Sequence, residues 1–366
     1  MKKLFLLISA FLVVSLGAIA QKKAAKPKLS KEDKEFLNKQ QDGIYAKIET
    51  TKGIIYTKLE YKIAPLAASN YIALAEGKMK NSAKPDGTPY YDGGKFHRVI
   101  PGFMIQGGCP LGNGMGDPGY SFDDELDPTT ETAKNGYKRG VMAMANRGPN
   151  TNGSQFFLMH KDYGLPHSYT IFGSVVQGIE VVDSIAATPR DKGDKPLTDV
   201  SINSVRILRK GKDAEAYDAV KGFEDAKIAI AKKKEEQQKA AMEATNKILA
   251  EKYADAKTTA SGLRYIMVKE GTGAQPTVAN SVVIHYEGSL LVDGKVFDGS
   301  IGKGDPVTFP LSRMIAGWQE GVPLMKAGGK IKMIIPPNLG YGERGYPGVI
   351  PPNSWLVFDV ELFDVK

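Results

Sequence analysis

The sequence predicts two folded domains, the first mainly β and the second α+β, joined by a long α-helical segment. The chain has 366 residues, which is enough for two domains at roughly 150 residues each. Residues 43–210 and 258–366 alternate short β-rich runs with Gly/Pro turns, whereas residues 213–254 hold no proline and are rich in Ala, Lys and Glu. With 42% hydrophobic and 25% charged residues, the composition excludes a wholly disordered or polytopic membrane protein.

The N-terminus has the pattern of an export signal. Met1-Lys2-Lys3 is basic, residues 4–19 are apolar apart from Ser and Gly, and Ala18-Ile19-Ala20 fits the small-x-small cleavage rule. The apolar run is short for a membrane span of about 20 residues, so an uncleaved anchor helix is the weaker interpretation. We expect a cleaved signal peptide over residues 1–20, then a flexible lead-in or a short helix over 21–42. The mature protein would be periplasmic or secreted, without stable membrane insertion.

Strands dominate the predicted first domain, residues 43–210. The β-rich runs 44–49 and 54–59 are separated by a Thr-Lys-Gly turn, which predicts a hairpin. Further strands are predicted at 171–176 and 202–208. Many strands with few helices favour a closed sheet or barrel.

Two stretches have helical patterns. Residues 64–76 contain Pro65, which suits a first helical turn, and are followed by Gly77, which favours a helix end. Residues 213–254, within a spacer over 211–257, predict one long helix of about 60 Å or two shorter helices. Their apolar positions are mostly Ala, too small for a strong coiled-coil seam, so we interpret the segment as a spacer. The alternative, that it packs on a neighbour or pairs with a second chain, stays open.

The second domain, residues 258–366, returns to strands and turns. Residues 281–287 are β-rich, and residues 356–362 alternate apolar and polar side chains. A short helix is predicted to begin at residues 317–321. This order predicts an antiparallel sheet wrapped on one short helix.

Composition and spacing argue against several kinds of site. The net charge is +8, but the longest basic run, residues 232–234, is followed directly by two glutamates, so it predicts a solvated helix face and no nucleic-acid partner. Four histidines and one cysteine without ligand spacing predict no metal site. Residues 114–119 and 340–345 match GxGxxG but lead into no predicted helix, so no dinucleotide or other cofactor is expected.

Two long motifs lie in order in the first domain. Residues 96–108 read FHRVIPGFMIQGG, and residues 144–157 read MANRGPNTNGSQFF. Together with FDDE at 122–125 and IFG at 171–173, they strongly resemble the cyclophilins, which are peptidyl-prolyl isomerases built on a mainly β, eight-stranded barrel. The resemblance covers residues 43–210 and implies isomerisation of X–Pro bonds.

This resemblance implies roles for particular residues. Arg98 would be the catalytic arginine, and its permanently protonated guanidinium can donate hydrogen bonds that favour a twisted, pyramidal imide nitrogen. Gln106 would orient Arg98 or bind substrate. His97 would have a structural or rim role. The proline pocket would be formed by Phe103, Met104, Phe157 and Leu165, and the peptide backbone would be bound by Asn146 and Gln155.

One position departs from the cyclophilin pattern. Gly164, beside Tyr163, stands where cyclophilins of the animal type carry a Trp near the pocket rim. We therefore expect weak cyclosporin affinity. Catalysis should be less affected, because Arg98 and the proline pocket remain.

The second domain carries its own ordered series of motifs. They strongly resemble FKBP-type prolyl isomerases over residues 258–366. The motifs are VIHYEG at 283–288, DGKVFDGS at 293–300, IAGWQEG at 315–321, IIPP at 334–337, GYG at 340–342, IPPN at 350–353 and LVFDVEL at 356–362.

The FKBP resemblance implies an aromatic pocket. Trp318 would be its floor, and aromatic side chains suit this role because they combine apolar area with a polar group. Catalytic roles would fall to Tyr341, which would hydrogen-bond a ligand carbonyl together with the backbone N–H of Ile315, and to Asp298 at the rim. The walls would be Tyr286, Phe297, Met314, Ile315 and Phe358.

Two substitutions in this domain depart from the FKBP pattern. Val307 stands where many members have Phe, and Tyr346 where many have His. The loop before Ile315 is also about two residues short. We expect a more open pocket and an altered peptide preference.

The leading hypothesis is an exported bifunctional peptidyl-prolyl cis-trans isomerase. Its partners would be proline-containing segments of unfolded or newly exported proteins, whose folding it would assist. The alternative is a proline-recognising holdase chaperone or adaptor with little catalysis, in which the helical spacer binds unfolded clients. Loss of refolding rate on Arg98→Ala with client binding intact would favour the enzyme.

Overall fold

The computed structural model describes residues 29–366, and the chain divides into two compact units, the second beginning at Ala229. The predicted signal peptide, residues 1–20, lies outside the described residues, as does the first part of the lead-in. Within residues 29–366, none of the helices has the length and apolar character needed to cross a membrane.

A nine-stranded antiparallel sheet forms the first unit. The strands are β1 (Gly43–Thr50), β2 (Gly53–Leu59), β3 (Gly94–Lys95), β4 (Arg98–Ile100), β5 (Met104–Gly107), β6 (Val141–Met144), β7 (Phe156–Met159), β8 (Ile171–Gln177) and β9 (Ser201–Lys210). Their order in space is β3-β9-β1-β2-β8-β6-β7-β5-β4. The two end strands, β3 and β4, are separated in sequence only by Phe96 and His97, so the sheet curls round until its ends adjoin. Counted as one interrupted strand, they confirm the predicted eight-stranded barrel and its opening hairpin.

Between residues 29 and 216, five helices accompany the barrel: α1 (Lys31–Asn38), α2 (Pro65–Ala75), α3 (Glu131–Asn135), α4 (Ile179–Ala186) and α5 (Lys212–Ala216). Helix α2 confirms the prediction for residues 64–76, with Pro65 in its first turn. All its residues from Leu66 to Ala75 are buried. Tyr71 of α2 stacks on Tyr91 with ring centroids 4.7 Å apart and meets Phe156 edge-on at 5.3 Å, so α2 forms part of the barrel core.

Part of the expected lead-in is an ordered helix rather than flexible chain. Helix α1 buries Phe36, whose ring stacks on Tyr56 at 4.0 Å. The buried ammonium of Lys47 on β1 pairs with Asp33 of α1 at 3.2 Å. Aromatic packing and this ion pair link α1 to the barrel. Because Lys47 and Asp33 are largely removed from water, loss of α1 from the barrel would leave the Lys47 charge without this partner.

Helix α6 (Ala219–Lys252) runs for 34 residues, about 51 Å at 1.5 Å per residue, and accounts for most of the predicted spacer. In the first unit, Phe223 is buried and packs edge-on against Phe122 at 5.6 Å. In the second unit, Leu249 is buried in a cluster with Leu291, Ile334 and Val357. Residues 231–244 are exposed, as their polar, Ala-rich sequence predicts.

The second unit is an antiparallel sheet against one short helix, as predicted. Its strands are β10 (Lys257–Thr258), β11 (Arg264–Lys269), β12 (Ser281–Leu290), β13 (Val296–Gly299), β14 (Val307–Pro310), β15 (Lys330–Ile335) and β16 (Leu356–Val365). Their order in space is β10-β11-β15-β16-β12-β13, and β14 pairs with β12. The helix is α7 (Ala316–Gly321), and 3₁₀ turns occur at Leu311–Arg313, Val322–Leu324, Pro337–Leu339 and Gly342–Arg344.

Glycines allow α7 to lie close to the sheet. A Cβ at Gly317 would lie 2.5 Å from a side-chain carbon of Ile335, and one at Gly321 would lie 2.2 Å from the sulfur of Met333. Only glycine fits at such distances. The close approach seats Trp318, which is 1% exposed, in the core of the second unit.

Candidate active sites

The first candidate site begins with a row of side chains across four strands. In the register of the sheet, Arg98 on β4 lies opposite Gln106 on β5, Gln106 lies opposite Phe157 on β7, and Phe157 lies opposite Ala143 on β6. Directly opposed residues on neighbouring strands point to the same face of a sheet. The register therefore brings the two sequence motifs together on one face.

Gln106 is fixed by a second glutamine. Its amide nitrogen donates to the Oε1 atom of Gln155 at 3.0 Å, and the Gln155 amide nitrogen donates to the carbonyl oxygens of Gly114 and Gly116, both at 2.9 Å. The carbonyl oxygen of Gln106 is left to accept a bond from Arg98 or a ligand. The side chain of Arg98 is 43% exposed, so its N–H groups are accessible.

An apolar pocket lies beside this row. The four side chains predicted to form it do pack in one cluster, with Met104 and Phe157 buried and Phe103 and Leu165 half-buried. We call Phe103, Met104, Phe157 and Leu165 the barrel pocket. Sequence reasoning assigned no role to further members of the cluster, among them Tyr137, Ala145 and Tyr169.

Tyr137 and Tyr169 brace the barrel pocket. The Tyr169 ring meets Phe157 edge-on at 5.6 Å. The Tyr137 hydroxyl donates to the Tyr169 carbonyl oxygen at 2.9 Å and accepts from the Tyr169 N–H at 3.0 Å. Only their aromatic character could have marked these residues in the sequence.

An aromatic ring also lies at the rim of the barrel pocket. Tyr163, which is 52% exposed, lies against Phe103 with ring centroids 4.5 Å apart. At Gly164, where cyclophilins of the animal type carry a Trp, a Cβ would meet no atom within 4 Å. The aromatic ring at this rim therefore belongs to Tyr163, one residue before the position of the Trp in animal-type cyclophilins.

A polar cleft of about 470 Å³ adjoins Gln106. It is lined in part by Asn146, Arg147 and Gln155. The Asn146 side chain donates to the Ser168 carbonyl oxygen at 2.9 Å, and the Gln155 amide bonds are made within the protein. Both side chains predicted to bind a peptide backbone therefore also make hydrogen bonds within the protein.

His97 is buried in the break between β3 and β4, with 7% of its surface exposed. Burial lowers the pKa of its imidazole below the usual value. A Cβ at Gly114 would lie 3.4 Å from the His97 ring, so His97 lies next to the loop that anchors Gln155. Its placement fits the structural role suggested by the sequence.

The second candidate site is an aromatic pocket around Trp318. Tyr286 and Phe358 meet the indole edge-on at 5.4 and 5.3 Å, and Phe297 meets Phe358 edge-on at 5.7 Å. The other predicted wall residues, Met314 and Ile315, are half-buried against the same core. We call Tyr286, Phe297, Met314, Ile315, Trp318 and Phe358 the aromatic pocket.

Phe309 adds to the aromatic pocket and was missed in the sequence. Its ring lies 5.8 Å from that of Tyr286. It stands on β14 two residues after Val307, so both point to the same side of the strand. Period-two spacing from Val307 could have revealed it.

The polar groups of the aromatic pocket are Asp298, Tyr286 and Tyr341. The Tyr286 hydroxyl donates to Asp298 Oδ2 at 2.6 Å, and burial, with the Asp298 carboxylate, raises its pKa. Burial and the same carboxylate also raise the pKa of Tyr341, which is 36% exposed. Ile315 directly precedes α7, where backbone N–H groups lack helical acceptors.

Comparison with known proteins places the first unit in a family. The family of cyclophilin-type peptidyl-prolyl cis-trans isomerases matches residues 45–207. Peptidyl-prolyl cis-trans isomerase B of Streptomyces anulatus is 46% identical over 173 residues, which cover 45% of this chain and 96% of that protein. The chain belongs to the cyclophilin-type peptidyl-prolyl cis-trans isomerases. Its Arg98 row and barrel pocket lie within the matched residues.

The same cyclophilin-type chain carries an FKBP-type domain. The family of FKBP-type peptidyl-prolyl cis-trans isomerases matches residues 273–363. FkpA of Escherichia coli K12 is 46% identical over 157 residues, 42% of this chain and 57% of FkpA, so the chain spans little more than half the length of that relative. The crystal structure of FkpA from Escherichia coli is 44% identical, covers 43% of this chain and 75% of that chain, and has a TM-score of 0.33.

Within residues 29–366, no group of three or more His, Cys, Asp or Glu side chains is arranged to hold a metal ion. Cys109 is buried, and its sulfur accepts the Gly116 N–H at 3.2 Å.

Proposed function

We propose that this protein is an exported enzyme with two peptidyl-prolyl cis-trans isomerase sites, which act on X–Pro bonds of newly exported proteins and assist their folding. The observation that supports the proposal is the Arg98–Gln106–Phe157 row, in which the residue carrying the guanidinium shares a sheet face with Phe157 of the barrel pocket. The second site adds an aromatic pocket with its own hydroxyl donor.

The reaction needs no nucleophile. Rotation about a peptide C–N bond is opposed by a barrier of about 18–20 kcal/mol, because resonance gives that bond partial double-bond character. A catalyst must hold the proline, remove water from the amide and donate a hydrogen bond to the imide nitrogen as it becomes pyramidal.

At the barrel site, Arg98 is the proposed donor and the barrel pocket holds the proline ring. A hydrogen bond from a charged donor contributes about 1.5–3 kcal/mol, which corresponds to roughly 10–100-fold in rate. Gln106, held by Gln155, orients the guanidinium or the substrate carbonyl. The apolar pocket supplies the rest by disfavouring the charge-separated planar amide.

At the aromatic pocket, the proposed donors are neutral. The Tyr341 hydroxyl and the Ile315 N–H would hold the two carbonyl groups flanking the proline, whose ring would rest on Trp318. Asp298 accepts from Tyr286 and keeps that hydroxyl fixed at the rim. Neutral hydrogen bonds are weaker than charged ones, so we expect this site to act mainly by desolvation and positioning.

The test is cis/trans exchange in Xaa-Pro peptides, followed by NMR with the full chain. Three variants are compared: Arg98→Ala, the pair Tyr341→Phe with Asp298→Val, and all three substitutions together. Arg206→Ala serves as the matched control, because Arg206 pairs with Asp92 outside both pockets. We expect each set to remove a separable part of the acceleration and the combination to remove nearly all of it.

Absence of acceleration by the intact chain would contradict the enzyme proposal. A proline-recognising holdase or adaptor would then be the better account. Suppression of client aggregation by the triply substituted chain, equal to that of the intact chain, would support that alternative.

Export is the part of the proposal that rests on residues 1–20 alone. The full chain and a chain lacking these residues are expressed in a bacterial host and the cells fractionated. We expect the full chain outside the cytoplasm with Gln21 as its first residue. Retention of the full chain in the cytoplasm would contradict export. The isomerase proposal would be unaffected, because it does not depend on export.

A further inference from the structure

The turn formed by residues 190–196 lies along the free edge of β4, the strand that carries Arg98. The Val99 N–H donates to the carbonyl oxygen of Asp194 at 2.9 Å. The turn is fixed from within, because Asp191 Oδ1 accepts from the N–H groups of Gly193 and Lys195 at 2.8 and 3.0 Å. The position of Asp194 relative to β4 is therefore set by main-chain contacts.

Asp194 has an unusual backbone and a shared carboxylate. Its φ of 65° lies in the left-handed region, which Asp and Asn enter more readily than other residues with a side chain. Oδ2 of Asp194 lies 3.6 Å from Nε of Arg98, and Oδ1 accepts from Nε of Arg190 at 3.0 Å. Backbone strain of this kind persists only where the surroundings require it.

We propose that Asp194 is a positioning residue for the catalytic Arg98, an inference that rests on the function proposed for the barrel site. Arginine has a long side chain with many rotamers, and that of Arg98 is 43% exposed. Pairing Nε with a fixed carboxylate restricts these rotamers. It also leaves both terminal nitrogens of the guanidinium free to donate to the prolyl amide.

The pairing with Asp194 leaves a net positive charge around Arg98. One carboxylate serves two guanidiniums, those of Arg98 and Arg190, so the cluster retains a net positive charge. A donor that keeps its positive charge makes the stronger hydrogen bond to the imide nitrogen. Asp194 thus orders Arg98 without neutralising the site.

Asp194→Asn tests this role. Asn tolerates the left-handed backbone and keeps the carbonyl oxygen that accepts from Val99, so the turn should persist. The measurement uses the full chain with Tyr341→Phe and Asp298→Val, which silence the aromatic pocket. We expect kcat/KM to fall about threefold to tenfold, with most of the loss in kcat. Asp199→Asn, which removes an exposed carboxylate paired with Lys95, is the matched control and should leave kcat/KM unchanged.

A double-mutant cycle separates positioning from a structural role. If Asp194 acts through Arg98, Asp194→Asn should cause no further loss in an Arg98→Ala chain. Equal losses in both backgrounds would show a structural effect and overturn the inference. The Arg98 Nε–H signal in ¹⁵N NMR should be protected from exchange in the parent and lose that protection in Asp194→Asn, and unchanged protection would also overturn it.

The outcomes also distinguish the inference from the function on which it rests. Loss of activity with Arg98→Ala but none with Asp194→Asn would overturn only the role of Asp194. No loss with Arg98→Ala would overturn the proposed chemistry of the barrel site, and the inference with it.

Discussion

His160 links the barrel pocket to a charged pair behind it. Its Nδ1 accepts the N–H of Gly102 at 2.8 Å, and its backbone N–H donates to the carbonyl oxygen of Phe103 at 2.8 Å. Its Nε2 lies 3.2 Å from Asp183, which holds Arg139 through two bonds of 2.6 and 2.7 Å. These contacts require a neutral imidazole with its proton on Nε2, because Nδ1 is an acceptor. The turn that carries Phe103 thus depends on the protonation of His160.

We expect the barrel site to lose activity in acid through His160. Burial lowers its pKa from 6.5, and Arg139 and Lys161 act in the same direction, while Asp183 opposes them. Stability from the neutral ring is therefore complete above pH 6.5 and is lost as pH falls through the lowered pKa. The measurement is kcat/KM against pH in a chain with the aromatic pocket silenced.

His160→Asn is the matched control for this pH profile. The Asn side-chain oxygen can replace Nδ1 as the acceptor for Gly102 but does not titrate. We expect the acid loss to be smaller in this variant than in the parent. If kcat/KM falls equally at low pH in both proteins, a group other than His160 causes the loss.

Helix α2 is held by a partly buried carboxylate at its start. Glu125 accepts the N–H groups of Leu66 and Ala67 at 2.8 and 2.9 Å. Backbone N–H groups in a first helical turn have no partner within the helix, so a carboxylate suits them. Burial nevertheless raises the pKa of Glu125 to about 7. The element that fills the barrel core therefore depends on a titratable cap.

The stability of the first unit should respond to the titration of Glu125. Because the pKa of Glu125 is raised, its protonated form contributes stability that is complete below about pH 4.5 and is lost as pH rises through about 7. The free energy of unfolding changes by about 3 kcal/mol over this range. We expect the free energy of unfolding, relative to Glu125→Gln, to fall over that range in urea titrations. A constant difference between the two proteins from pH 5 to 8 would contradict this assignment.

At the scale of the whole molecule, each unit has its own hydrophobic core. The core of the second unit gathers around Trp318 on α7, next to Met333 and Ile335 of β15. In the first unit, Tyr71 and Phe156 meet within the barrel. Separate cores predict that a substitution in one unit changes the unfolding of that unit alone.

Gly317→Ala tests this independence. The added Cβ would overlap Ile335, so we expect the second unit to lose about 1–3 kcal/mol of unfolding free energy. Urea unfolding, followed by resolved NMR signals from each unit, should show a shift for the second unit only. Gly164→Ala, where the Cβ meets no atom within 4 Å, is the control. A matching shift of the first unit would show that the two unfold together.

Sequence reasoning was most successful where local patterns specify structure. The hairpin of β1 and β2, helix α2 and the strand Leu356–Val365 follow from alternation and from Pro and Gly at their ends, and the structure confirms them. The sequence alone does not decide between a flexible lead-in and a short helix at α1. Its ordering depends on Phe36 packing on Tyr56 and on the Lys47 ion pair, which are distant in sequence.

By itself, the sequence determined the two domain types and the helical segment between them in the chain, because long motifs and residue periodicity are local in the chain. Only the tertiary structure decided which polar groups surround Arg98. Asp194 reaches it from a turn some hundred residues later, and Gln155 reaches Gln106 across neighbouring strands. Such contacts depend on strand register and on barrel closure, which bring distant residues within a few ångströms and leave no periodic trace in the sequence.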